Sequence, residues 1–294
     1  MRERKNTLLL FSKPPIPGLV KTRLTRLKGG IFTPEVAATL YHCMLFDVVE
    51  ICCNAMNTMA AQSEAALNEA RGRGVPEEEL VLDTFEMLIS TTPAENLEVM
   101  EGFFDPVDAW PMPLHFIYDQ GKSFDEHYNN AFDQAWERGA DCILSLGADM
   151  PALHTKDVIN GFETLHTLDG VPGGGIVLSP DQAMGVSIVG WTRETKFDHT
   201  GVFYNQSGLT VLPAYIEKCE RLGLPALYLP AVPDVDTMGD LMHNVTLVQA
   251  LNYCAPFEGN TPPYRTAQAL KEIGWDKVIV PPNELRDSRE GIDK

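Results

Sequence analysis

The sequence predicts an α/β fold on a predominantly parallel sheet with helices covering both faces. Three observations carry this reading. Short apolar runs alternate with longer stretches of helical periodicity, the signature of strands joined through crossover helices. One run, Cys142 to Leu146, is apolar almost throughout, as expected of a strand buried on both faces. The chain also has 294 residues and 44% apolar content, enough for a sizeable core and too much for a disordered or collagen-like chain.

Taken in order, Leu8 to Ser12 is a buried strand that ends in Pro and Gly punctuation. Thr33-Pro34-Glu35 opens a helix, with Thr33 as N-cap and Pro34 in the first turn. Val36, Leu40, Met44, Val48 and Ile51 keep helical spacing behind it, and about 60 to 80 reads as polar surface helix and loop. Phe85 to Ser90 and Leu114 to Tyr118 are the next strands. Ser123-Phe124-Asp125-Glu126 has the capping-box pattern ahead of a helix with Phe124, Tyr128, Phe132 and Trp136 in steps of four. After the strand at Cys142 come a helix marked by Val158, Ile159, Phe162 and Leu165, then strands at Gly175–Leu178 and Val186–Trp191. A helix over about 209–222, a strand at Leu227–Leu229 and a helix capped by Thr237 complete the pattern. We read one nucleotide-binding domain over 1–251. The extension 252–294, with Pro262-Pro263 and Pro281-Pro282, is expected to add a helix and a short strand.

Lys and Arg total 23 against 41 Asp and Glu, a formal net charge of −18. Such acidity argues against nucleic acid or an anionic membrane as partner, but not against a small phosphorylated ligand. The charge is unevenly spread, because residues 1–28 carry eight cations and one acid. Six cysteines show no paired or metal-binding spacing, and seven histidines form no HExxH, so reduced thiols in a cytoplasmic protein are expected and zinc is not. The apolar run Thr7–Phe11 is shorter than a signal-peptide core, and no apolar stretch has the length of a membrane span.

Ligands of open α/β sheets bind beyond the carboxyl ends of the strands, so the segments after each strand carry the functional argument. The first strand is followed by Lys13, Gly18, Lys21, Thr22 and Arg23, a loop able to wrap a diphosphate without being a Walker A loop. The alternative is a basic surface loop beside an acidic body. Asp149, after the fourth strand in LGADMP, is placed to hold a hard divalent cation, or merely to cap the turn before Pro151. Pro233-Asp234-Val235-Asp236-Thr237 offers two carboxylates on one side of an extended segment, although Asp236 could belong to the helix start. Together they favour a Mg²⁺ or Mn²⁺ nucleotide site.

These residues also carry a resemblance. FSKPPIPGLVKTRL, a Tyr41-containing helix ending in Asp47, Gln120-Gly121 with SFDEHYNNAF, LSLGADMP and DVDTMGDL follow one another over about residues 7 to 248. In that order they resemble the nucleotide-diphospho-sugar transferase-like family of the glycosyltransferase-A superfamily. The resemblance implies that superfamily's Rossmann-like three-layer sandwich, with a nucleotide over the first loop. It places Phe11, Ser12, Lys13, Pro15, Gly18, Lys21 and Arg23 around the nucleotide and its phosphates, and Gln120 and Gly121 near the base. It makes Asp149 a metal ligand and Asp236 a second metal or substrate carboxylate. Where the family has an Asp-Gly-Gly-Tyr block, this chain has Ser179-Pro180-Asp181-Gln182-Ala183-Met184-Gly185. That segment is closer to 2-phospholactate guanylyltransferase-like enzymes.

The preferred reading is a metal-dependent transfer of sugar from a nucleotide-diphospho-sugar to a small-molecule acceptor. Lys21 and Arg23 hold the leaving diphosphate, and Asp181 is the base if the anomeric centre inverts. The alternative is a nucleotidyltransferase that joins a nucleoside triphosphate to a phosphorylated small acid and releases pyrophosphate. A third reading is a nucleotide-binding relic without turnover. A homo-oligomeric assembly stays open.

Overall fold

A computed structural model describes residues 1–105 and 109–277. Seven strands form one sheet: β1 (Arg2–Phe11), β2 (Val81–Thr91), β3 (Leu114–Tyr118), β4 (Cys142–Gly147), β5 (Ile176–Pro180), β6 (Val186–Thr192) and β7 (Ala226–Tyr228). Their order across the sheet is β3-β2-β1-β4-β6-β5-β7. Among the described residues only β6 runs against its neighbours, and every other pairing is parallel. This is the expected α/β three-layer sandwich on a mostly parallel sheet.

Side chains on β1 alternate between the two helical layers, as the two-residue strand period requires. Leu8 and Leu10 pack under α1 (Pro34–Gly72), α2 (Asn96–Phe104) and α4 (Thr155–Leu168). Leu9 points the other way, toward α3 (Phe124–Glu137) and α5 (Val211–Leu222). All three leucines are fully buried, so β1 is central in both senses. A third cluster joins the start of α1 to α6 (Met238–Glu258) and α7 (Tyr264–Glu272) through Leu40, Met44, Val245 and Leu270.

The caps hold where the sequence puts them. Thr33 accepts the Val36 N–H, and Thr237 with Asp240 closes a reciprocal capping box on α6. At α3 the box is displaced: Ser123 accepts from Glu126 N–H, while the Glu126 carboxylate reaches back to Lys122 N–H. Three extents differ from the sequence reading. Helix α1 does not end at Asp47 but runs on to Gly72, because Cys52, Ala55, Met56 and Met59 continue its buried face. Strand β1 begins at Arg2, since Arg4 pairs with Asp83 on β2 and with Asp169 and so places charge within a strand edge. Helix α2 lacks an N-capping side chain and has no expectation at all behind it. Helix α1 is long and apolar enough to cross a membrane by composition, and most of that stretch is buried inside the fold.

Helix α6 passes through residue 251 without a break, and α7 packs across α1. The fully buried Asp47 makes that junction. Its carboxylate accepts the backbone N–H groups of Arg265 and Thr266, at 3.2 and 2.7 Å, and so caps α7 from a distant helix. Burial pushes the Asp47 carboxyl up to about 6 against the lowering effect of those N–H groups and the Arg265 guanidinium. The short strand expected in the extension, Pro281-Pro282 and the charged end lie outside the described residues.

Asp47→Ala should cost about 2–4 kcal/mol, since the Arg265 and Thr266 N–H groups lose their acceptor and the Arg265 guanidinium keeps only Glu50. Chemical denaturation measures that loss, and hydrogen exchange should localise it to α7. His199 gives a pH dependence. It is fully buried among Phe132, Trp191 and Phe203, and burial, aided by Lys218, lowers it to about 3. Below its ordinary value of about 6.5 the unfolded chain takes up a proton that the folded chain refuses. Stability therefore falls with acidification from about pH 6.5 toward 3, by roughly 1 kcal/mol per pH unit from this residue. His199→Phe should flatten that limb in urea denaturations run as a function of pH; an unchanged slope would mean His199 is not its source.

Candidate active site

The site forms where the sheet's connections diverge. Phe11, the last residue of β1, stands beside Ser90 of β2 on one side and Gly147 of β4 on the other. The loop after β1 therefore opens over a switch in strand order, the usual ligand position in such sheets. Ser12 N–H prolongs the pairing by donating to Ser90 O, and its hydroxyl meets the buried Tyr41 hydroxyl of α1 at 2.8 Å. Gly18 turns the loop at φ +82°. Lys21 follows at φ 46°, a left-handed conformation that few side chains adopt at no cost.

That turn drives the Lys21 side chain inward, where only 7% of it stays exposed. Its ammonium donates to Asp149 at 2.5 Å and to Asp236 at 3.4 Å, while Arg23 reaches the other oxygen of Asp236 at 2.7 Å. Burial alone would lower the Lys21 pKa; Asp149 and Asp236 outweigh it and hold the ammonium above its ordinary value. Burial also pushes the nearby Tyr41 hydroxyl up to about 12, with Asp149 adding to the effect, so it stays protonated.

Two backbone details aim the carboxylates. A Cβ on Gly147 would stand 2.8 Å from Asp149 Oδ1, so the glycine leaves room for that carboxylate over the strand end. Val235 N–H donates to Asp149 O at 2.9 Å, pinning the segment after β7 to the one after β4. Asp234 and Asp236 flank that bond. Asp236 meets Lys21 and Arg23, whereas Asp234 is clamped by the Gln182 amide at 2.9 Å. Burial, with Asp149 next, pushes the Asp234 carboxyl up to about 6.

Two open lobes of about 620 and 710 Å³ meet at this junction and share Phe11, Phe124, Tyr128, Asp149 and Asp236. Phe11 stacks on Tyr128 with centroids 3.8 Å apart, making the rib between them. The first lobe, above β1 to β3, presents Lys13, Lys21 and Lys122. It also holds a pair without prior signal in the sequence: buried Asp119 accepts from Ser90 at 2.7 Å and bonds His127 Nδ1 at 2.6 Å. The second lobe, above β4 and β6, presents Ser145, Asp181, Asp234, Tyr215 and Arg23. Asp181 fixes its own loop, with Oδ1 accepting from Ala183 and Gly185 N–H.

Of the residues expected around a nucleotide, Phe11, Ser12, Lys13 and Lys21 line the first lobe, and Arg23 lines the second. Pro15 is buried within the loop, and Gly18 turns it, both outside the lobe walls. Gln120 is exposed, and its N–H is held by Asn130. A Cβ on Gly121 would lie 2.6 Å from Glu126 Cβ, so this glycine seats the loop against the start of α3. Among the described residues no three His, Cys, Asp or Glu side chains gather into a metal-binding group. The eight early cations also divide: Arg2, Arg4 and Lys5 pair with Asp169, Asp83 and Glu86 at the opposite end of β1.

No curated protein sequence matches the chain. Among solved structures, the fold is similar to a presumed nucleotide-diphospho-sugar transferase from Desulfovibrio desulfuricans. The TM-score is 0.63 at 21% identity, over 91% of this chain and 96% of that one. A cytidylyltransferase from Leptospira borgpetersenii is more distant, with a TM-score of 0.44 at 12% identity over 96% of this chain and all of that one. Residues 82–206, from β2 to just beyond β6, match the model of a family described as an uncharacterized protein conserved in bacteria (DUF2064). The chain thus carries the DUF2064 match over its central segment, within a fold shared with a presumed nucleotide-diphospho-sugar transferase.

Proposed function

We propose that the protein is a transferase that passes the sugar of a nucleotide-diphospho-sugar to a small-molecule acceptor, with Mg²⁺ or Mn²⁺. The observation carrying this reading is the buried Lys21 ammonium, set between Asp149 and Asp236 where the two lobes meet. Both lobes fall in the volume range of small-molecule sites, about 300–1,000 Å³. The lysine-bearing lobe suits a nucleoside diphosphate, and the second suits an acceptor.

The donor set fits a hard divalent ion. Mg²⁺ takes one or two carboxylates together with substrate phosphates, and Lys21 already stands in a cation's position between Asp149 and Asp236. Once the Lys21 ammonium turns from them to the phosphates, those two aspartates would hold the ion, which when bound would neutralise charge on the departing diphosphate. The chain's own groups do the remainder. Lys21 and Arg23 donate charge-assisted hydrogen bonds to the diphosphate as the bond from the anomeric carbon to its oxygen breaks. The acceptor oxygen bonds to that carbon, and its proton passes to a carboxylate. For that proton we propose Asp181, whose Oδ1 is anchored by its own loop while Oδ2 makes no hydrogen bond among the described residues. The Phe11–Tyr128 rib keeps donor and acceptor in register.

Replacing Lys21 and Arg23 together by Ala should weaken nucleoside diphosphate binding at least tenfold, since charge-assisted bonds are worth about 1.5–3 kcal/mol each. Calorimetry measures this, with circular dichroism confirming the fold; equal affinity would end the phosphate assignment. Asp149→Ala should abolish the Mn²⁺-dependent part of nucleotide affinity. Unchanged metal-dependent affinity would remove Asp149 from the site. In a product assay the expected release is a nucleoside diphosphate from a sugar nucleotide. Release of pyrophosphate from a nucleoside triphosphate would instead assign nucleotidyl transfer.

A further inference from the structure

The first lobe holds a titratable pair that the proposed transfer leaves unused. Asp119, directly after β3, is buried, and both of its carboxylate oxygens are engaged. Oδ2 accepts the Ser90 hydroxyl at 2.7 Å, and Oδ1 meets His127 Nδ1 at 2.6 Å. An ionised carboxylate only accepts, so Nδ1 carries a hydrogen and Nε2 is the open position of the ring. Ser90 gives its hydrogen to Asp119 and not to the imidazole, so the three groups are no nucleophilic triad. They orient His127.

Nε2 reaches the ligand space. The His127 side chain is 26% exposed and forms part of the lobe wall. Among the described residues Nε2 has no hydrogen-bond partner, yet it is not sealed from solvent as Nε2 of His42 and of His199 is.

The surrounding charges select the ligand. Three carboxylates line this lobe, and each already has a partner: His127 for Asp119, Lys21 for Asp149, and Lys21 with Arg23 for Asp236. Glu126, beside His127 on α3, is engaged by Lys122 N–H. Burial pushes the Tyr41 and Tyr128 hydroxyls of the same wall up, so both stay neutral. The ammonium groups of Lys13 and Lys122 have no counter-charge among the described residues. A ligand N–H or hydroxyl would satisfy Nε2 and leave those lysines unmatched. A phosphate satisfies all three once the ring carries a second proton. Asp119 stabilises that proton from behind, against the positive end of α3 near which His127 sits.

We infer that His127 is a phosphate contact of the first lobe, bound as an imidazolium with Nδ1–H on Asp119 and Nε2–H on a phosphate oxygen. Asp119, held by Ser90, is its positioning residue. The inference rests on the nucleotide reading and deepens it by adding a titratable contact to the lysines. The imidazolium loses its second proton as pH rises, so affinity falls on the alkaline side.

The test combines calorimetry with ¹⁵N NMR of the histidine rings on the full chain, using pyrophosphate as a probe without a base. In the complex at about pH 7 both His127 ring nitrogens should be protonated. Their signals are identified by loss in His127→Gln and, independently, by their change in Asp119→Asn. His127→Gln should weaken pyrophosphate about tenfold, the worth of one charge-assisted hydrogen bond. From about pH 7 to 9 affinity should fall more steeply in the unmodified chain than in His127→Gln, a comparison that cancels the titration of the probe. Asp119→Asn keeps the shape without the charge and should leave Nε2 unprotonated in the complex; a ring still protonated there would strike Asp119 from its role. An unprotonated Nε2 in the unmodified complex, equal affinity in His127→Gln, or parallel pH profiles would each overturn the phosphate contact. Uridine, guanosine, cytidine and adenosine diphosphates titrated into the same samples separate the two levels. If neither they nor pyrophosphate bind, the nucleotide reading falls and this contact with it. Binding with an unprotonated Nε2 removes the contact alone.

Discussion

A charged ammonium taken out of water must recover several kcal/mol of lost hydration from its surroundings. Lys21 does so with Asp149 and Asp236, and much else in the structure is arranged around that exchange. The left-handed turn at Lys21 carries its side chain inward, and Gly147 leaves room for the Asp149 carboxylate that meets it. The bond from Val235 to Asp149 holds the third participant in place. Remove the ammonium and two carboxylates face one another across a gap; remove the carboxylates and a buried lysine loses its reason to be charged. With Arg23 on the other oxygen of Asp236, two cations meet two carboxylates before any ligand arrives.

The acidity of the chain looks different once located. Three of the early cations serve the far end of β1, where they neutralise Asp83, Glu86 and Asp169. Only Lys13, Lys21 and Arg23 of that group reach the ligand edge, joined by Lys122 from another loop. The site is polarised, with ammonium groups over β1 to β3 and carboxylates over β4 and β6. That division follows the strand order, because the loops of β2 and β3 fall on one side of Phe11 and those of β4, β5 and β6 on the other.

Much of this was legible in the sequence, for reasons that can be named. A strand buried on both faces, such as β4, and a helix with a side-chain cap, such as α6, announce themselves locally, and the apolar, aromatic run of the edge strand β3 does the same, so all three are found within a residue or two. Lys21, Asp149 and Asp236 each follow a strand or precede a capped helix, where ligands of such sheets bind, and the family resemblance singles them out. What escaped depends on partners far along the chain. Helix α2 has no capping side chain to signal it, and the length of α1 is fixed by the surfaces it covers. Asp119 and His127 read as a turn residue and one turn of an aromatic stripe; only folding brings them together with Ser90. Asp47 is unremarkable in sequence and becomes a cap because α7 returns to it.

The three charges of the central cluster come from the first, middle and last thirds of the described chain. Lys21 is contributed near the start, Asp149 halfway and Asp236 just before α6. No contiguous fragment shorter than that span can hold the cluster, however well its own strands pair. During synthesis the loop after β1 emerges early and must wait for nearly the whole sheet before its lysine finds both counter-charges. The completed cluster is thus a late property of the growing chain, and an unfinished copy leaves its early lysine without one of its two counter-charges.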